Sequence, residues 1–161
     1  MCIRDRYKIL MCAKSLTDEN IKSESLFSSK IDKIASEISS KKYLRKQLMA
    51  YQREFPRKYA HDKKFAVIEG RDIGTVIFPH AKIKIFMWAD VKVRAKRRYL
   101  QIKKKGRKTS LKRIYNEIVA RDMKDLNRKT APLRPAVNSV LLDTSYLDIE
   151  QAFNAIKTLV K

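Results

Sequence analysis

Residues 65–75 read Phe65-Ala66-Val67-Ile68-Glu69-Gly70-Arg71-Asp72-Ile73-Gly74-Thr75, and this stretch decides the fold class. A short apolar run that stops at Glu-Gly is the pattern of a buried strand of a parallel sheet entering a loop. Ligands of such sheets bind outside the carboxyl ends of the strands, so the loop points at a site. Two of the chain's three glycines fall here, where backbone must turn sharply or approach a ligand. Arg71 can fork onto a phosphate, and Asp72 can accept hydrogen bonds from an amino group. A turn with a surface ion pair would use the same residue types, and the loop alone does not separate the two.

Working outward, the pattern of a strand followed by a helix repeats. Upstream, Ile31, Ile34, Ile38, Leu44, Leu48 and Tyr51 recur at helical spacing and predict a helix over Lys30 to Arg53, with Pro56 beyond its end. Thr17, Asp18 and Asn20 are candidate caps in the polar stretch before it. Downstream, Ile83 to Trp88 is a second strand. Asp90 then caps a helix with the apolar stripe Val91, Ala95, Tyr99 and Ile102, which Gly106 ends. Ser110 opens another helix, to about Asn127, and Pro132 and Pro135 mark the loop after it. Val140 to Leu142 is the third strand, and a last helix spans about Ile149 to Val160. Strands alternating with helices predict an α/β fold with a mainly parallel sheet flanked by helices.

Composition narrows the class. In 161 residues, 44% hydrophobic content is enough for a packed core and excludes a disordered chain. No apolar run approaches the length of a membrane span, and the opening residues lack the apolar region of a secretory signal, so a soluble, cytoplasmic protein is expected. Cys2 and Cys12 both lie near the start, outside every motif, and His61 and His80 have no partners at ligand spacing, so no metal site is expected. The net charge of +21 implies a positive field that attracts polyanions, but charge alone does not choose between a nucleic-acid binder and a nucleotide enzyme. Residues 1–14 fit nothing that follows and are set aside as a non-native or disordered lead.

The helix from Ser110 is the more telling candidate. Its apolar stripe Leu111, Ile114 and Ile118 continues as Arg121, Asp125 and Arg128, at spacings of three and four that keep all six on one side. An ordinary surface helix places its charges opposite the stripe. A core-facing surface that turns charged at one end is the pattern of an inward-facing site for an anion and a polyol. On the preceding helix, Arg94, Arg97 and Arg98 are either a solvated face or a clamp delivering guanidinium groups to transferring phosphates.

Together these stretches resemble the bacterial cytidylate kinases, a branch of the nucleoside monophosphate kinases. The matching residues are 68–79, Arg94 to Leu100, Arg121-Asp122, Asp125 to Arg128, Ala131-Pro132-Leu133 and Leu142 to Ser145, in the family's order. The resemblance implies ATP-dependent phosphorylation of CMP or dCMP, with ATP accompanied by Mg²⁺. It implies Ser36 and Arg45 on the base, and Asp72 on the exocyclic amine of cytosine, which uracil replaces with an acceptor. It implies Arg121 and Asp125 on the sugar, Arg71 and Arg128 near the CMP phosphate, and Arg94, Arg97 and Arg98 in a lid at about 94–110 that closes over ATP. On this reading 15–60 is the CMP-binding region and 61–161 the core, and relatives lead to the expectation of a monomer.

The departures carry their own expectation. The family begins with a strand and a glycine-rich phosphate loop ending in Gly-Lys-Gly/Ser-Thr; here no glycine precedes Gly70. At Ile21-Lys22-Ser23, where relatives carry Ile-Arg-Thr, a lysine replaces a guanidinium fork. The family's fold places its first strand between those assigned to Phe65–Ile68 and Ile83–Trp88. A chain without it is expected to have open sheet edges and low stability, and to be catalytically silent. The competing reading is a small basic nucleic-acid-binding protein. It accounts for the charge and for Lys103-Lys104-Lys105-Gly106-Arg107-Lys108. It does not account for the Arg-Asp-Ile-Gly-Thr loop, and stacking aromatics are not interleaved with that basic run. A binding-only relative that senses CMP is a third reading.

Overall fold

The computed structural model describes Met11, Ile31, Ile34 and residues 42–59 and 66–160. The chain divides into two compact units, Met1–Glu69 and Gly70–Lys161. In the first, helix α1 spans Lys42–Tyr59. Leu44 is buried and Leu48 and Tyr51 are half-buried, as the predicted face requires; Ile31 and Ile34 are also helical, but Ile34 is exposed and departs from that face. The helix does not stop before Pro56 but carries it inside its last turns. A proline removes only its own N–H from the ladder, and this one falls three residues before the end, where Gln52, Arg53 and Glu54 are exposed to water. Ser36 and Ile38 lie outside the described residues. The strand expected at Phe65–Ile68 is a second correction. Phe65 lies outside the described residues, Ala66 to Ile68 are irregular and exposed, and Val67 is 88% accessible. An apolar run becomes a strand only when its backbone groups find a neighbour, and among the described residues these find none.

The second unit holds the rest of the pattern. It runs through a π-helical turn at Ile73–Ile77, strand β1 at Ile85–Trp88, helix α2 at Val91–Lys104 and helix α3 at Leu111–Asn127. Strand β2 at Val140–Asp143 and helix α4 at Ile149–Val160 complete it. The two strands are parallel, with Ile85 beside Val140 and Trp88 beside Asp143, and α2 and α3 form the crossover between them. Two bonds extend the ladder, from Val140 N to Lys84 O and from Thr144 N to Trp88 O, each 2.9 Å. Among the described residues no third strand joins, so Met87, Trp88, Val140 and Leu141 remain substantially exposed.

Local chemistry sets the helix ends. The Asp90 carboxylate accepts from Lys92 N at 2.7 Å and caps α2, and Ser110 Oγ accepts from Arg113 N at 3.2 Å and caps α3. Helix α2 ends where Gly106 adopts φ +68°: Gly106 N donates to Lys103 O and Arg107 N to Ile102 O, the paired bonds of a glycine-terminated helix. Ala95 and Ile114, 1% and 2% exposed, are the buried apolar anchors of α2 and α3, which pack on each other.

Candidate active site

The Arg-Asp-Ile-Gly-Thr segment is wound into the π-helical turn rather than left as an open loop. The Asp72 carbonyl accepts from Val76 N at 2.9 Å, Ile77 N at 3.3 Å and Thr75 Oγ1 at 3.3 Å, and Phe78 N donates to Ile73 O at 2.7 Å. Such turns are rare and concentrate at functional sites. A Cβ on Gly74 would stand 3.2 Å from the Ala136 Cβ, so the turn packs closely against the loop that leads into β2. Ile77 is buried below the turn, and Arg71 and Asp72, half-buried at its start, are held in place by it.

Arg71 reaches the last turn of α3. Its Nη1 lies 2.5 Å from Asp125 Oδ2, and Arg128 Nη1 lies 3.7 Å from Asp125 Oδ1, so two guanidinium groups flank one carboxylate. Asp125 is 7% exposed. Its Oδ2 has the close charge contact with Arg71 but no aligned hydrogen bond, and Arg128 Nη2 is likewise buried without a hydrogen-bond partner. A buried guanidinium N–H without a partner is costly unless a ligand meets it. Burial pushes the Arg71 guanidinium below its ordinary value. Asp125 opposes the shift, Arg121 adds to it, Asp122 opposes it and Arg128 adds to it. These four charges are therefore felt at Arg71, while the cluster in contact is two arginines and one buried aspartate.

The chain after α3 locks this cluster. Arg128 Nε donates to Ala131 O, and Leu133 N donates to the Asp125 carbonyl at 2.9 Å, satisfying one of the helix's terminal acceptors. Ala131 has φ +52°, a left-handed conformation that costs a non-glycine residue of order 1–2 kcal/mol. The Ala131-Pro132-Leu133 motif thus holds Arg128 and the end of α3 in one geometry.

The stripe predicted along α3 needs adjustment at two positions. Ile114, Ile118, Asp125 and Arg128 turn inward, but Leu111 is 46% exposed and Arg121 is exposed. Leu111 opens the first turn, where one side of a helix end faces water. The residue that the stripe missed is Asp122, whose Oδ2 lies 2.7 Å from Arg94 Nη2 and ties α3 to α2. Arg94 Nε also donates to Ala89 O at 2.9 Å. Arg97 Nη2 donates to the carbonyls of Thr144 and Leu147, at 2.6 and 2.8 Å. Thr144, 7% exposed, and Ser145 join the β2 end to the β1 end, with Thr144 Oγ1 donating to Trp88 O and Ser145 Oγ accepting from Asp90 N. Arg98 is exposed. Arg45 is half-buried on α1, in the other unit, and Ser36 lies outside the described residues. Arg71, Asp125 and Arg128 are the predicted residues brought into contact.

A family model described as cytidylate kinase matches residues 4–161. The chain belongs to the cytidylate kinase family. That match takes in most of the first fourteen residues, which the sequence pattern alone left aside. The chain is 40% identical over 159 residues to the cytidylate kinase of Bradyrhizobium diazoefficiens, covering 99% of this chain and 73% of that protein. It is 39% identical over 153 residues to that of Bartonella tribocorum, covering 95% and 69%. A third, from Bartonella bacilliformis, is 41% identical over 157 residues, covering 97% and 71%. Among the described residues no helix is long and apolar enough to cross a membrane.

Proposed function

We propose that the chain carries the acceptor site of a cytidylate kinase, one that holds CMP or dCMP to receive the γ-phosphoryl group of ATP. The observation that carries this is the buried Arg71–Asp125–Arg128 cluster, in which two guanidinium groups flank one carboxylate and Arg128 Nη2 is buried without a hydrogen-bond partner. A nucleoside monophosphate presents the matching groups, a phosphate that accepts and sugar hydroxyls that donate. In this reading Arg71 and Arg128 take the phosphate, Asp125 accepts from the sugar beside Arg121, and Asp72 reads the cytosine amine. Ser36 and Arg45 contribute to the base. The π-helical turn fixes Asp72 relative to Arg71, so base and phosphate are measured from one rigid segment.

Arg94, Arg97 and Arg98 belong to the reaction's donor side. A guanidinium has five N–H donors, and Arg94 and Arg97 each spend only some of theirs on Asp122 and on backbone carbonyls. The remaining donors are available to oxygens of a transferring phosphoryl group, which needs positioning and charge stabilisation more than covalent help. Mg²⁺ would arrive with the nucleotide. Among the described residues no group of three or more His, Cys, Asp or Glu side chains is placed to hold a metal, so no step is assigned through it. The phosphate loop pattern is not found in these 161 residues, and the reading therefore rests on the acceptor site. We place the protein in the cytoplasm, as a monomer.

Calorimetric titration of the 161-residue chain with CMP, UMP and ATP tests this. CMP binding stronger than UMP supports the reading. Equal affinity for the two, or binding of neither, contradicts it.

A further inference from the structure

Val91 to Asn116 contains twelve Lys or Arg residues and no Asp or Glu, so this one stretch carries more than half of the chain's net charge of +21. The cations sort onto two flanks of α2. Arg94 and Arg97 point to Asp122 and to the carbonyls of Ala89, Thr144 and Leu147. Lys92, Lys96 and Lys103, at 100° per residue, lie on the roughly opposite flank, and all three are exposed. Tyr99 falls in line with these lysines, half-buried, and Lys103 Nζ sits 5.8 Å from its ring centroid. Sequence spacing alone leaves the basic run without an aromatic; one helical turn upstream supplies it.

The flank leads into a concavity of about 300 Å³ lined by Tyr99, Lys103, Gly106, Arg107, Lys108 and Thr109. It exists because Gly106, at φ +68°, turns the backbone back over the end of α2. From Lys92 to Lys103 the flank runs about 17 Å, at 1.5 Å per residue, long enough to follow several backbone phosphates.

We propose that this lysine flank and the concavity at its end, which lie largely within the segment that the family resemblance makes the lid over ATP, also bind single-stranded nucleic acid, at a site separate from the Arg71–Asp125–Arg128 cluster. The lysines track the phosphates as point charges, and Tyr99 offers one face to a base while Lys103 covers the other. The aromatic ring in line with the lysines favours a nucleic acid over an anionic surface, which would use the charge without the ring.

The test is fluorescence anisotropy of the full chain with labelled oligo-dT across a salt series, beside CMP titration of the same samples. Binding should weaken with salt, and Lys92→Gln/Lys96→Gln/Lys103→Gln should lower affinity at least tenfold at low salt. The same triple variant should flatten the log–log salt slope by about 2, at about 0.7 per lost phosphate contact. Tyr99→Leu should lower affinity about tenfold with the slope unchanged. CMP affinity should be unchanged in both variants, which reports that they are folded. The proposal is overturned if oligo-dT does not bind, or if the triple variant leaves affinity and slope as they were. It is also overturned if Tyr99→Leu has no effect and inorganic polyphosphate or phosphatidylserine vesicles displace oligo-dT completely, since charge alone would then explain the binding.

Discussion

Asp125 Oδ2 lies 2.5 Å from Arg71 Nη1, and this contact joins the last turn of α3 to the start of the π-helical turn. The two residues are far apart in sequence, and the Asp125 carboxylate lies between the Arg71 and Arg128 guanidinium groups. Removing it leaves cations facing each other. Asp125→Asn keeps the shape and removes the charge. It should destabilise the chain by about 2 kcal/mol, less than the 3–5 of a fully buried pair because Arg71 is 36% exposed. CMP affinity should fall about tenfold or more. Denaturant unfolding and calorimetry measure the two effects, and unchanged CMP affinity would remove Asp125 from the site.

Asp72 is assigned to the cytosine amine, and discrimination is the readout. Asp72→Asn, which can donate to the uracil oxygen, should reduce the preference for CMP over UMP by at least tenfold, since a site built on one hydrogen bond rejects the analogue lacking it. A variant that loses affinity for both nucleotides in equal proportion would make Asp72 a residue of the turn alone.

Much of this was legible in the chain itself. Asp90 and Ser110 were readable as caps because a short acceptor side chain precedes an apolar periodic run, and both do cap. The strands at Ile85–Trp88 and Val140–Asp143 and the helix at Ile149–Val160 follow from the same patterns. Asp125 and Arg128 were found because charges lay in line with a core stripe. Three things were not legible. Ala66 to Ile68 have strand composition, but pairing is a property of neighbours. Pro56 reads as a stop signal, yet a helix tolerates it near its end. The Arg97 bonds to Thr144 and Leu147 depend on two carbonyls nearly fifty residues away, and a carbonyl has no sequence signature.

Arg97 holds α2 to the turn after β2 through two carbonyls, so its loss should first be a loss of stability. Arg97→Lys cannot reproduce the fork and should cost about 1–3 kcal/mol. CMP affinity, measured below the melting transition, should stay within about twofold because Arg97 is assigned to the donor side. A lysine variant as stable as the parent would show that these bonds contribute nothing net.

The left-handed Ala131 gives a prediction of opposite sign. Ala131→Gly removes the Cβ penalty and adds chain entropy to the unfolded state, so stability should change by between about 0 and +1 kcal/mol. A denaturant midpoint that falls by more than the equivalent of about 1 kcal/mol would mean that the methyl group packs against something that the conformation alone does not reveal.

Arg71 also sets an expectation for pH. Its folded-state value is lowered, so its charged form carries a penalty in the folded protein that is present below that value and disappears only as pH rises through the ordinary arginine range. Between about pH 6 and 9 the guanidinium stays charged in both states. The stability difference between the parent and Arg71→Met should therefore be constant across that window in denaturant titrations, and a slope would assign the titration to another group.

The central claim is that Arg71 and Arg128 receive a nucleotide phosphate, and the most direct measurement compares CMP with cytidine by calorimetry on the parent chain. Two charge-assisted contacts predict that CMP binds at least about 100-fold more tightly than the nucleoside. Equal affinity for CMP and cytidine would contradict the account, because the arginine cluster would then take no part in holding the phosphate.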